Sequence, residues 1–172
     1  MKTILYMTLT ANGVFQQADE NHPIPKEILT DFTGFIGKAG NLINGRRTYE
    51  QLISGSARNS FKGIELVIVS KQLQQTEGIH VAASPDEALQ YLEQKKFDYA
   101  LVAGGAQINS SFLSQDLVDE IYLNIVPALL GNDIIINMKG PMETRLKLID
   151  TVNLSRNIVQ LHYYVTHKKA LN

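Results

Sequence analysis

The sequence predicts an α/β fold: a three-layer sandwich with a mixed, mostly parallel central sheet, helices on both faces and antiparallel strands at the C-terminal end. Three observations carry that prediction. Short β-prone runs alternate with helical patterns, as in crossover units around a parallel sheet. After Ala103 the alternation weakens and strand patterns come to dominate. The 172 residues, 44% hydrophobic and 19% charged, show no composition break and lie in the globular range, which predicts one domain over residues 1–172.

In chain order, the first strand is expected over residues 3–9. A helix over 25–39 follows, because Ile28, Phe32, Phe35 and Ile36 recur on one face, and Gly40 is its stop. Further strands are expected over 41–44, 65–70, 79–82 and 99–103. Before the last of these, Ser84-Pro85-Asp86-Glu87 opens a helix that runs to about residue 94. A cap hydroxyl, a proline at the first helical position and a glutamate two places later form a capping box. Strands over 120–126, 146–153 and 159–166 complete the pattern. Residues 154–157 read as a hairpin connection between two antiparallel strands.

Composition removes several classes of function. The net charge is -1 and the basic residues are dispersed, so no stripe that would neutralise a nucleic-acid backbone is present. There is no cysteine, which excludes disulfides, thiolate metal sites and a cysteine nucleophile and suits a reducing cytoplasm. The apolar start over residues 4–9 is too short for a membrane span and runs into Thr10, Asn12 and Gly13. His22, His80, His162 and His167 lack metal-ligand spacing and read as structural; no metal is expected.

Two turns carry candidate chemistry. Gly45-Arg46-Arg47-Thr48-Tyr49 stands where a buried strand gives way to a short helix. A helix start offers unpaired N–H groups and a positive dipole end, and Arg46, Arg47 and Thr48 add donors for a nucleotide phosphate. The other reading is two arginines facing solvent. Gly104-Gly105-Ala106-Gln107-Ile108 again follows a strand, ending at Ala103, and precedes an amphipathic helix with Ile108, Phe112 and Leu113. Glycines there let a pyrophosphate approach the backbone; alone, the pair is equally a tight turn. Two such turns at strand ends of one sheet together favour a dinucleotide.

The chain resembles the dihydrofolate reductase superfamily in the order and spacing of Gly45-Arg46-Arg47-Thr48-Tyr49, Ser70-Lys71, Gly104-Gly105-Ala106 and Val118-Asp119-Glu120 followed by Pro127 and Gly131. The segment from Leu117 to Gly131 is more similar to the riboflavin-biosynthesis reductase branch, the RibD C-terminal domain, than to true folate reductases. The resemblance implies NADPH as cofactor. Arg46, Arg47 and Thr48 would hold its 2'-phosphate and pyrophosphate, Ser70 and Lys71 would flank its adenosine, and Gly104 to Ile108 would cradle the pyrophosphate from the other side. It also implies a cis Gly104-Gly105 bond, a small-molecule substrate and a homodimer.

On the substrate side, Asp31 lies at the rim of the apolar stripe of the 25–39 helix, one turn before Phe35, while Glu27 lies further toward solvent. A carboxyl at the edge of an apolar pocket holds its proton more tightly and assists hydride transfer to a C=N bond. Asp31 and Phe35 look like the acid and ring-packing residues of folate reductases, although the stretch from Phe35 to Gly45 is shorter here. Asp31 is equally readable as an exposed helix carboxylate. Thr8, Asn12, Gly13, Val14 and Phe15 would form the strand end and loop over the nicotinamide, with Asn12-Gly13 replacing the Asp-Gly of the riboflavin branch. Asn124, on a later strand, is a candidate substrate contact or a solvent-facing residue. The leading activity implied is reduction of 5-amino-6-(5-phosphoribosylamino)uracil. The alternatives are dihydrofolate reduction and a nucleotide-binding module without catalysis.

Overall fold

The strands at the centre of the molecule are apolar on both faces, as strands with helices above and below them must be. The computed structural model describes residues 1–15, 22–54, 61–131 and 142–170. Its elements are β1 (Lys2–Thr10), α1 (Lys26–Ala39), β2 (Asn41–Gly45), α2 (Arg46–Ser54), β3 (Glu65–Val69), β4 (His80–Ala82), α3 (Pro85–Gln94), β5 (Tyr99–Val102), α4 (Ala106–Ser114), β6 (Glu120–Val126), β7 (Met142–Asn153) and β8 (Val159–Ala170). They form one eight-stranded sheet in the order β4-β3-β2-β5-β1-β6-β8-β7. The pairs from β4 through β6 are parallel. β8 is antiparallel to both β6 and β7.

Alternation along β1 divides the interior in two. Leu5 and Met7 join Ala88 and Leu92 of α3 and Phe112 and Leu113 of α4 in one core. Ile4 and Tyr6 point the other way, into a second core with Ile28, Ile36 and Ala39 of α1. The three-layer sandwich is therefore present, with α1 and α2 on one side of the sheet and α3 and α4 on the other.

The local signals act as expected. Gly40 ends α1 in the left-handed region, φ 68°, and its N–H donates to the Ile36 carbonyl at 2.8 Å. At the start of α3, Ser84 Oγ accepts from the Glu87 N–H at 3.2 Å. The return bond differs from the usual box: Glu87 Oε2 accepts from the Ala83 N–H at 2.7 Å, one residue before the cap. β7 and β8 are each four residues longer than the sequence suggests, at the start of one and the end of the other. Residues 142–145 and 167–170 have weak strand propensity of their own, and cross-strand pairing supplies what propensity lacks. Two register shifts interrupt that ribbon, between Arg145 and Leu146 and between Leu148 and Asp150.

One buried polar side chain fixes the geometry on which the site depends. Asn41 donates to the carbonyls of Ala39 at 2.8 Å and Tyr99 at 2.7 Å, and accepts from the Leu101 N–H at 3.1 Å. These bonds lock β2 beside β5, so the turns that follow the two strands emerge side by side.

Candidate functional site

β2 passes into α2 at Gly45 and Arg46 without a loop, while Ala103, Gly104 and Gly105 link β5 to α4. The two turns touch: the Gly45 N–H donates to the Gly104 carbonyl at 2.8 Å. A Cβ on Gly45 would lie 2.7 Å from Ile108 Cγ1, so only glycine lets α4 sit this close. Gly104 has φ 105°, and the Gly104-Gly105 bond is cis, as the resemblance implied.

A groove of about 320 Å³ runs between these turns, walled by Gly45 to Thr48, by Ser70 and Gln72, and by Gly105 to Ile108. Beyond Ser70 and Lys71 it opens into a hollow of about 900 Å³ bordered by Ser84 and by Ser110, Ser111 and Ser114 of α4. In the other direction it shares Thr48 and Gly105 with a cleft of about 320 Å³ between α1 and α2. One path thus crosses the carboxyl ends of β1, β5, β2 and β3, where ligands of open α/β sheets collect.

The donors along this path suit an elongated anion. The cap of α4, Gly105, supplies no side-chain hydrogen bond; its carbonyl accepts from the Ile108 and Asn109 N–H groups, and Ala106 and Gln107 of the first turn line the groove at the positive end of the helix. Arg47 is exposed on the groove wall. Arg46 pairs with Glu50 at 2.7 Å across one turn of α2. Exposed pairs of this kind contribute only about 0.3–0.5 kcal/mol, so a phosphate can displace Glu50. Ser70 Oγ accepts from the N–H groups of Gln72 and Leu73 at 3.1 and 3.0 Å, which fixes the turn and leaves its hydroxyl hydrogen available to a ligand. A dinucleotide carrying an additional phosphate fits this donor set.

The cleft beyond is mostly apolar, with Tyr6, Thr8, Phe15, Ile28, Phe32 and Leu52 among its lining residues and Ala103 beside Gly105. Asp31 is not among them. It stands behind Tyr6, where its Oδ2 accepts from the Tyr6 hydroxyl at 2.8 Å and from Gln160 Nε2 at 2.6 Å. Gln160 Nε2 also donates to Asn124 Oδ1 at 2.9 Å, and Asn124 Nδ2 reaches the Met7 carbonyl at 3.3 Å and Thr8 Oγ1 at 3.5 Å. This chain of polar groups joins two cleft residues, Tyr6 and Thr8, through three residues behind the wall. Burial, and after it the Asp31 carboxylate, pushes the Tyr6 phenol far above its usual range, so it stays a protonated donor.

The remaining substrate-side residues are dispersed. Phe35 packs against Tyr6 and Tyr122, with ring centroids 5.2 and 4.5 Å away, and does not line the cleft. Asn124 is fully buried. Asn12 is exposed; it accepts from Thr10 Oγ1 and from the Leu130 N–H and donates to the Leu130 carbonyl, tying the β1 turn to residues after β6. Val14 is buried and bonded to Thr10. Glu27 is exposed. Of the histidines, His80 stacks on Tyr91, His162 stacks on Tyr122 and contacts Glu120, and the side chain of His167 lies outside the described residues.

Sequence reasoning missed Tyr6, Gln51, Leu52 and Gln160. Tyr6 lies in an apolar strand run that reads as core, and no local signal brings Gln160 to a residue 129 positions earlier. Phe32 was visible only as part of the stripe on α1; its position in the cleft follows from how that helix packs.

A parallel sheet ending in two facing phosphate-type turns, closed by an antiparallel hairpin, is the dihydrofolate reductase-like fold. The chain belongs to the RibD C-terminal domain family, whose model matches residues 44–160. The uncharacterized protein YwjB of Bacillus subtilis (strain 168) is 25% identical over 169 residues, covering 94% of this chain and 97% of that one. A candidate riboflavin biosynthesis protein from Shewanella sp. PV-4 shares the fold with a TM-score of 0.79 at 17% identity, covering 97% of this chain and all of that one. A pyrimidine reductase-like protein from Corynebacterium diphtheriae does so at 0.77 and 14% identity, covering 96% of this chain and 92% of its own.

Proposed function

We propose that this protein is an NADPH-dependent reductase that delivers hydride to a small heterocycle of the ribosylaminopyrimidine kind. The observation that carries the reading is the continuous path from the arginine-bearing turn, past the cis diglycine, into a cleft walled by aromatic and aliphatic side chains. Membership of the RibD C-terminal domain family, and likeness to a pyrimidine reductase-like protein, support it. NADPH, when bound, supplies the hydride; the chain's task is to position the reactants and exclude water. Arg46, Arg47 and Thr48 would take the 2'-phosphate and pyrophosphate, with Gly104 to Ile108 opposite and Ser70 and Lys71 at the adenosine. Thr8 and Ala103 would border the nicotinamide. Asp31 would act through Tyr6, whose hydroxyl holds a proton against the carboxylate at the cleft wall.

The exclusion of Asp31 from the cleft favours one other reading, a module that binds the nucleotide without turning it over. Steady consumption of NADPH with a pyrimidine substrate would remove it. We further propose a homodimer, since Leu146, Leu148, Ile149 and Val152 of β7 and Tyr164 of the adjoining β8 are exposed, and a cytoplasmic location, which the lack of cysteine suits.

Titration of cofactor-free protein, followed by ligand fluorescence, tests the reading. NADPH is expected to bind at least about tenfold more tightly than NADH, as one charge-assisted phosphate contact requires, and the preference should vanish in the R46A/R47A double variant. Absence of binding to either nucleotide would overturn the reductase assignment.

A further inference from the structure

We propose that Asn12 is a positioning residue for the nicotinamide end of the cofactor path: its side-chain amide clamps the turn after β1 to the segment after β6 and so holds Phe15 as a preformed wall of the cleft. This rests on the reductase reading and deepens it.

The chemistry of the amide carries the inference. The ladder between β1 and β6 ends at Thr10 and Val126. Beyond it, the Ala11 N–H donates to the Ala128 carbonyl at 3.0 Å. Asn12 then continues the pairing with its side chain: Oδ1 accepts from the Leu130 N–H at 3.2 Å, and Nδ2 donates to the Leu130 carbonyl at 2.9 Å. A primary amide offers the same acceptor and donor as a peptide, so one side chain engages both backbone groups of a single residue. Oδ1 also accepts from the Thr10 hydroxyl at 2.7 Å, whose oxygen in turn accepts from the Val14 N–H at 3.1 Å. Gly13, at φ 80°, completes the turn: its N–H donates to the Thr10 carbonyl, and the Thr10 N–H donates to the Val14 carbonyl, both at 2.9 Å.

What the turn delivers is Phe15. This residue is buried, bridges to Leu9 and lines the cleft together with Thr8, Ala103 and Gly105. Its Cζ lies 3.5 Å from where a Cβ on Gly104 would stand. The ring is therefore placed between the diglycine turn and the cleft, where the reductase reading puts the nicotinamide. Without the tie to Leu130 the turn would be free to carry Phe15 away from this position, and an arriving ring would have to order it on binding. The clamp performs that ordering in advance. A carboxylate in place of the amide would still accept from Thr10 and from the Leu130 N–H, but it has no donor for the Leu130 carbonyl and would set a negative charge against that oxygen.

The test compares two ligands by calorimetry on the wild-type protein, Asn12→Ala and Asn12→Asp. NADPH spans the whole path, whereas adenosine 2',5'-bisphosphate carries the adenosine and the 2'-phosphate but no nicotinamide. Both substitutions fall on an exposed side chain, and retained binding of the bisphosphate reports that the fold and the groove of Arg46 and Arg47 are intact. NADPH affinity is expected to fall about three- to tenfold in each variant, the scale of one net hydrogen bond, while affinity for the bisphosphate stays within about twofold of wild type. Unchanged NADPH affinity in both variants, or equal losses for the two ligands, would overturn the positioning role and leave the reductase reading intact. Failure of the wild-type protein to bind NADPH would remove that reading, and the role of Asn12 with it.

Discussion

At the scale of the residue, the site depends on groups with almost no room for change. Gly45 is the clearest, because a Cβ there would lie 2.7 Å from Ile108 Cγ1 at the point where two helix starts converge. Gly45→Ala is expected to destabilise the fold by about 1–3 kcal/mol through overpacking, and the G45A/I108V double variant to regain part of that loss. Urea denaturation of both variants measures it; no loss in the single variant would show that α4 can shift freely. Legibility divides along the same line. The Gly-Arg-Arg-Thr-Tyr and Gly-Gly-Ala turns were readable because strand-to-helix turns are local, and their residues other than Tyr49 and Gly104 line one groove. The chain from Tyr6 through Asp31, Gln160 and Asn124 to Thr8 was not, since its bonds span 25, 129, 36 and 116 positions.

At the scale of the element, punctuation set the boundaries. Gly40 and Ser84 each occupy the position that their chemistry suits, and α1 and α3 stop and start within a residue of the expected points. Ser84→Ala removes the oxygen that accepts from Glu87 and should cost about 1 kcal/mol, visible as a lowered thermal midpoint, whereas Ser84→Asp should retain most of the stability. Equal midpoints for wild type and Ser84→Ala would show that the Glu87 to Ala83 bond alone holds this helix start. The ends of β7 and β8 escaped the sequence because a polar strand is specified by its partner more than by its own residues.

At the scale of the whole molecule, β1, β6 and β8 are held together by charge as well as by ladders. Glu120 is buried on β6 and receives Lys2 of β1 at 2.7 Å and His162 of β8 at 3.1 Å. Burial alone would raise its carboxyl, but the hydrogen bonds from Lys2 and His162 outweigh that and hold it below the usual range. A carboxyl depressed in the folded state stabilises the fold above its unfolded value, about pH 4.3, and the contribution is lost as pH falls through the lower folded value. Stability measured by denaturant titration should therefore drop below about pH 4, and less steeply in Glu120→Gln, which is less stable at neutral pH. Identical acid limbs for the two proteins would remove Glu120 from this role. The alternation of elements predicted the parallel body of the sheet. The order β6-β8-β7, with the last strand inserted before its predecessor, depends on long-range pairing that no local pattern reports.

The two register shifts in the β7–β8 ribbon have a bearing on how the protein behaves in a crowd. β7 is twelve residues long and lies at the edge of the sheet, where no further strand among the described residues pairs with its outer row of backbone donors and acceptors. A straight edge of that length is a template on which other chains can add and grow into fibrils. Here Ile149 is an extra residue on β7 and Thr166 an extra one on β8, and each offset turns the following stretch out of line. An incoming strand would meet the extra residue Ile149 after Leu148, so the outermost strand does not offer twelve residues of continuous register.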